Sequence, residues 1–309
     1  MTEPIRRGGD GAGPGEPEPG EPEPRARGRG GVVEGTLDAV RSSFGLLTLV
    51  PVRLPGPFDA PRVRRAMLAA PFVGLVLGVA ADVVVLFFRV FGPNVRFNPP
   101  TLLPAVAGVA VLTLLTRALH LDGLADVADS HGAGPDRERA LAIMKDSRIG
   151  TYGTLALVFA VLLQISGLSV AITDHRGTVT LIVASMTGRL AVVWACVNTR
   201  PARPAGLGAM VAGSVRTGEA GVLTVAVLFV SGLAGLLDVD GGAPSRAARA
   251  VILCLVGLGA GYLATRVYER RFGGITGDLL GAVVEISATV VVLGMSLTPP
   301  NRLVDLLGH

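Results

Sequence analysis

Residues 120–130 read HLDGLADVADS and place carboxylates at Asp122, Asp126 and Asp129. Spaced by four and then three, these positions fall within roughly 60° of arc on a helix, so a helical segment stacks three acids on one face. Like charges held that close raise one another's pKa unless a cation sits among them, and hard oxygen donors favour magnesium or calcium over zinc. A solvated acidic helix end is the commoner fate of a pair of acids. Three in register beside an apolar run favour a metal-binding face, and magnesium with a phosphate ligand is its natural chemistry. His120 borders that face and is of a type that serves as a base, although a lone histidine at a helix end is more often a hydrogen-bonded structural group. It ranks in a second tier.

Three further segments carry groups that suit a phosphate. Residues 141–153, LAIMKDSRIGTYG, hold Lys145, Asp146 and Arg148 just before an apolar run. Cations beside an acidic face neutralise the oxygens of a diphosphate, and Asp146 joins the candidate metal ligands. Lys145 is the sole lysine among 28 basic residues, and a compact ammonium suits a phosphate, though chance explains a single case about as well. Residues 199–210, TRPARPAGLGAM, set Arg200 and Arg203 between prolines before a Gly-x-Gly, whose backbone amides can approach an anion. Residues 272–285, FGGITGDLLGAVVE, put Asp278 and Glu285 seven apart on one helix face. Glu285 lies inside an apolar run, where an ionised group costs ~2.5–3.5 kcal/mol or more at mid-bilayer and usually has a task. It stands in the second tier, with a structural pair to Arg266 as the plain alternative. Asp82 and Arg189, also within apolar runs, are expected to pair with each other.

The elements that must position these groups are membrane helices. Half of the 309 residues are hydrophobic, 17% are charged and 5% aromatic, and the mean hydropathy is +0.56. This balance is too apolar for a soluble domain of this length, and the small residues suit close helix packing in lipid. Apolar runs near bilayer length give about seven spans, at residues 67–91, 101–119, 152–173, 178–199, 220–237, 247–269 and 279–297. Residues 36–52 are shorter and interrupted by Asp38 and Arg41, and read as an interfacial or re-entrant helix that leaves room for an eighth span. Residues 1–35, rich in Gly, Pro, Arg and acids, read as a disordered tail ahead of a transmembrane catalytic domain over 36–309. The expected fold is therefore an all-α polytopic bundle.

Basic residues test that count. They cluster before the first span and after the second, fourth and sixth, while the other connections carry essentially one arginine each. Cytoplasmic loops are enriched in Lys and Arg, so the N-terminus and every motif above are expected at the cytoplasmic face of a cell membrane, with the C-terminus outside. The formal charge of +4 and pI near 9.7 thus come from loop arginines, and nucleic-acid binding is not expected. Cys196 and Cys254 lie in apolar runs without zinc or disulfide spacing and read as packing residues.

Taken together, HLDGLADVADS, LAIMKDSRIGTYG, TRPARPAGLG and GGITGDLLGAVVE resemble the cobalamin synthase family, the adenosylcobinamide-GDP ribazoletransferases, from about Arg41 to the last span. The resemblance implies a multi-pass membrane transferase that uses magnesium. It would join adenosylcobinamide-GDP to α-ribazole, or its 5′-phosphate, giving adenosylcobalamin or its phosphate and GMP. On that basis Asp122, Asp126, Asp129, Lys145 and Asp278 form the catalytic set. Asp122, Asp126, Asp129 and Asp146 are the metal candidates, and Lys145, Arg148, Arg200 and Arg203 grip phosphate. The ribazole 5′-oxygen is expected to attack the phosphorus bonded to cobinamide. Two departures are visible: Ser130 stands where the family commonly has Gly, and Ala288 where it often has an acid. A homo-oligomer or a biosynthetic complex is left open. Two other classes compete. A CDP-alcohol phosphotransferase has a similar acid spacing, but Ala125 stands where its pattern has arginine. A cation-coupled transporter would account for Asp82 and Arg189, but no inverted repeat is apparent and the acids gather at one end.

Overall fold

The computed structural model describes residues 29–48, 51, 59–92, 100–238 and 241–297, with side chains from residue 35 onward. Its helices are α1 (Arg29–Leu47), α2 (Ala60–Phe91), α3 (Leu102–Leu115), α4 (Leu119–Asp129), α5 (Arg137–Ile143), α6 (Thr151–Thr173), α7 (Gly177–Ala195), α8 (Leu207–Val211), α9 (Thr217–Leu236), α10 (Pro244–Phe272) and α11 (Gly277–Ser296). Among the described residues there are no strands, only two isolated parallel bridges. The all-α bundle expected from composition is what forms. Most of the expected tail, residues 1–28, lies outside the described residues, whereas 29–35 belong to α1.

Six helices, α2, α6, α7, α9, α10 and α11, are long and apolar enough to cross a membrane. The expected second span, residues 101–119, departs from a simple crossing. Its fourteen helical residues reach about 21 Å, short of a hydrocarbon core of about 30 Å. The axis then turns by 87° into α4. Arg117 and Ala118 make that turn with φ of 55° and 54°, a left-handed conformation that costs a non-glycine residue of order 1–3 kcal/mol and persists only where the surroundings enforce it. The apolar run thus forms a short descent and a turn, and the chain continues as a helix laid across the end of the bundle.

α7 is buried along almost its whole length and packs against α2, α6, α9, α10 and α11. Small residues permit this: a Cβ on Gly74 of α2 would stand 2.4 Å from the Ser185 carbonyl oxygen. Backbones this close give the van der Waals contact that holds helices together in lipid, where no hydrophobic drive separates protein from tail. α1, which is not among the spanning helices, is pinned to α2 where Arg62 donates to both oxygens of Asp38, at 3.0 and 2.6 Å.

The expected pair of Asp82 with Arg189 does not form, nor does the alternative pair of Glu285 with Arg266. Asp82 accepts a hydrogen bond from Thr178 at 2.9 Å. Arg189 lies eleven residues further along the same helix, about 16 Å away, so α2 and α7 do not bring the two together. Arg266 pairs with Glu269 at 2.8 Å, while Glu285 accepts from Gln164 at 2.7 Å and shares a small internal cavity with Arg189. Cys196 and Cys254 are buried free thiols.

Candidate functional site

All four motifs meet at one end of the bundle. α4 lies against the first turns of α6 and α11, and the contact with α11 depends on Gly123: a Cβ there would stand 2.4 Å from the Asp278 carbonyl oxygen. With no side chain in the way, the acids of α4 and Asp278 come to share one region. Asp126 feels that neighbourhood directly. Burial first, then the charges of Asp278, Asp122 and Asp129, push its carboxyl up to about 7. Arg203 opposes that rise without cancelling it, as expected for several carboxylates gathered in a half-buried place.

Asp129 has a different task. Its two oxygens accept from the backbone amides of Gly150 at 2.7 Å and Gly153 at 2.8 Å. The first amides of a helix have no partner within it, and the helix dipole favours a negative charge there. Asp129 thus caps α6 from a neighbouring helix, and the Gly spacing of residues 141–153 serves that cap: a Cβ on Gly153 would collide with the same carboxylate, at 2.3 Å.

Between α4 and α11 opens a cleft of about 260 Å³, lined by His120, Asp122, Arg203, Gly206, Thr276 and Asp278 among others. Arg203 approaches Asp278 at 3.7 Å and is anchored by a 2.8 Å bond to the Leu141 carbonyl. One buried oxygen of Asp278 nevertheless accepts no hydrogen bond. The Gly-x-Gly bend follows Arg203, with Gly206 at φ +98°. The loop that carries both is held to the start of α11 by paired bonds: Ile275 N–H to the Arg200 carbonyl at 2.7 Å, and Ala202 N–H to the Ile275 carbonyl at 3.0 Å. His120 is buried with neither ring nitrogen bonded to a described residue. Burial and the charge of Arg189 hold its pKa well below the usual imidazole value.

The other expected cations are placed differently. Arg148 pairs with its near neighbour Asp146 at 2.7 Å, and that guanidinium holds the Asp146 carboxyl down to about 2. Lys145 and Arg200 are exposed and do not line the cleft. Glu285 lies deeper, in the internal cavity with Ala288. No three acid, histidine or cysteine side chains among the described residues approach closely enough to form a ready metal-ligand set. Ser130, standing in for glycine, is accommodated by donating to the Val127 carbonyl at 2.6 Å.

Two arginines that the motif reading passed over clamp the site. Arg137 donates to the Phe272 carbonyl at 2.5 Å, and Arg271 donates to the carbonyls of Ser130 at 2.9 Å and Gly134 at 2.8 Å. Both counted only as loop charge in the sequence. Nothing in their spacing distinguishes a guanidinium that binds carbonyls of a distant loop from one that faces lipid headgroups.

Fold and site define a polytopic α-helical membrane protein with a cleft at the end of the bundle that brings Asp122 and Asp278 together with Arg203. Residues 39–296 match the model of a family described as cobalamin-5-phosphate synthase. A Frankia casuarinae protein named adenosylcobinamide-GDP ribazoletransferase is 50% identical over 271 residues, covering 87% of this chain and 98% of that protein. Proteins of the same name from Corynebacterium efficiens and Bradyrhizobium diazoefficiens are 33% and 35% identical, over 83% and 84% of this chain and 90% and 94% of their own lengths. No solved structure matches. The chain belongs to the cobalamin-5-phosphate synthase family.

Proposed function

We propose that this chain transfers the cobinamide phosphate of adenosylcobinamide-GDP to α-ribazole or α-ribazole 5′-phosphate, releasing GMP. Its relatives carry the name of that reaction over nearly their full length. The observation that carries the chemistry is the cleft between α4 and α11, where Arg203 and the Gly206 bend face Asp122 and Asp278. Phosphoryl transfer asks a protein mainly for positioning and charge neutralisation, and both are available here.

The donor's diphosphate lies in the cleft with Arg203 and the backbone amides of the glycine bend on its oxygens. A hydroxyl of the acceptor forms a new bond to the phosphorus attached to cobinamide. The bond from that phosphorus to the oxygen of the GMP phosphate breaks, GMP departs with the electron pair, and the hydroxyl proton passes to a cleft carboxylate. An acceptor used as its 5′-phosphate, and released still carrying it, has its 5′-oxygen blocked. The attacking oxygen is therefore one of the ring hydroxyls of the ribose, which replaces the 5′-oxygen expected from the sequence.

The donor set fits magnesium. It is all oxygen, Asp278 has a buried oxygen without a hydrogen bond, and Asp126 lies close enough to Asp278 and Asp122 for their charges to raise its pKa. Magnesium is ordinarily held by one or two carboxylates together with waters and substrate phosphates, so a complete protein cage is not required. Asp122 and Asp278, which line the cleft, are the residues that would hold it, with Asp126 beside them, and when bound it would supply charge neutralisation of the diphosphate. Asp129, committed to the α6 amides, supports them by fixing α4 against α6. The arginines of residues 62–65, 137–148, 200–216 and 270–271 all belong to this end of the bundle, which supports a cytoplasmic orientation with access to nucleotides.

The test is turnover by the full-length protein in lipid, with adenosylcobinamide-GDP, either acceptor and magnesium, read as GMP and corrinoid product. Formation of both in equal amounts is expected. Inactivity there, with release of CMP from CDP-diacylglycerol and an alcohol, would move the protein to another class of transferase.

A further inference from the structure

A second recess of about 470 Å³ lies beside the catalytic cleft and shares Leu119 and Asp122 with it. Its other walls include Thr48 at the end of α1, Thr116 and Arg117. The two cavities differ in chemistry. The cleft has Arg203, the glycine bend and Asp278, and suits a diphosphate. Among the described residues that line the recess Arg117 is the only cation, and its side chain makes no ion pair or hydrogen bond with the described residues. Arg117 is also one of the two left-handed residues of the α3 to α4 turn, and that turn sets it at the wall of the recess. Both hydroxyls at hand, on Thr48 and Thr116, already donate to carbonyls of their own helices at 2.7 and 2.8 Å. Among the described residues the guanidinium is therefore the strongest free donor on this wall.

Resting on the reaction assigned above, we propose that this recess is the acceptor subsite and that Arg117 binds the 5′-phosphate of α-ribazole 5′-phosphate. A single guanidinium matches a single phosphate monoester, with planar donors set for two of its oxygens. Leu46, Ala118 and Leu119 provide an apolar wall for the flat base. The acceptor then approaches the donor across Asp122, the residue both cavities share. Arg117 acts as a specificity residue and takes no part in bond making.

The experiment compares kcat/KM for α-ribazole 5′-phosphate and for α-ribazole, in full-length protein in lipid with adenosylcobinamide-GDP and magnesium. Arg117→Asn is the informative variant, because Asn removes the charge and still tolerates positive φ. Arg117→Gly, unstrained at this φ, gives the same comparison if the first variant does not fold. In both, the preference for the phosphorylated acceptor should fall by about ten- to a hundredfold, chiefly through KM, the scale of one lost charge-assisted hydrogen bond. Arg117→Lys should restore part of it. An unchanged ratio between the two acceptors, whatever happens to overall activity, overturns the assignment. Wild-type protein that uses α-ribazole alone overturns it while leaving the proposed reaction intact. Turnover of neither acceptor removes both.

Discussion

Asp126 and Asp129 sit three residues apart on one helix and have opposite fates, because one faces other carboxylates and the other faces helix amides. Replacing Asp129 with Ala leaves the Gly150 and Gly153 amides without their acceptor. That loss is expected to cost about 1–3 kcal/mol and to lower the unfolding temperature in detergent. Asp126 gives a pH signature. Its folded pKa of about 7 exceeds the roughly 3.9 of an unfolded chain. Between those values the folded protein binds more protons, so its share of stability falls as pH rises from about 4 to about 7. A divalent cation offsets that loss only once the carboxylate is ionised. Magnesium should therefore raise the unfolding temperature more at pH 8 than at pH 5.5, and an equal gain at both would separate Asp126 from metal binding. Spacing alone made the acidic face legible, since Asp122, Asp126 and Asp129 do lie on a helix. The cap was not legible, because the partners of Asp129 are two backbone amides, 21 and 24 residues downstream.

The site is made by one helix leaving the direction of the bundle. α4 lies across the ends of α6 and α11 because the chain turns at Arg117 and Ala118, and Gly123 lets it reach the α11 backbone. Gly123→Ala puts a methyl group 2.4 Å from the Asp278 carbonyl oxygen. The two helices must separate, and turnover should fall by more than about tenfold, since misplacement of about 1 Å can cost a hundredfold. Circular dichroism should show helix content unchanged, and retained activity would mean that the α4 to α11 contact does not set the geometry. The six full-length spans were readable to within a few residues, except that α2 begins seven residues before the apolar run. Its first two turns hold Arg62 and Arg64, which pair with Asp38 of α1 and Glu219 of α9, so hydropathy excludes residues that pairing keeps helical. The bend after α3 was hidden for another reason: residues 102–116 carry no charge, and hydropathy says nothing about direction.

At the scale of the molecule, the chain crosses back and forth so that every chemistry-bearing connection returns to the same end. Alternating arginine content foretold that arrangement, because charges kept out of lipid mark the ends of spans. Which charges enter the cleft was beyond its reach: Lys145 and Arg148 remain exposed, while Arg203 is drawn in by the Leu141 carbonyl and Asp278. A cysteine placed at residue 138 should react with a membrane-impermeant thiol reagent only after cells are opened, and one near residue 242 should react in intact cells. The most direct test of the whole account is GMP release from adenosylcobinamide-GDP by wild-type protein and by Asp122→Asn, at equal amounts in the same lipid. The account predicts a fall of at least about a hundredfold, the scale set by losing a group that organises charge at the reacting phosphate, with the variant still folded. Full turnover by Asp122→Asn would contradict it.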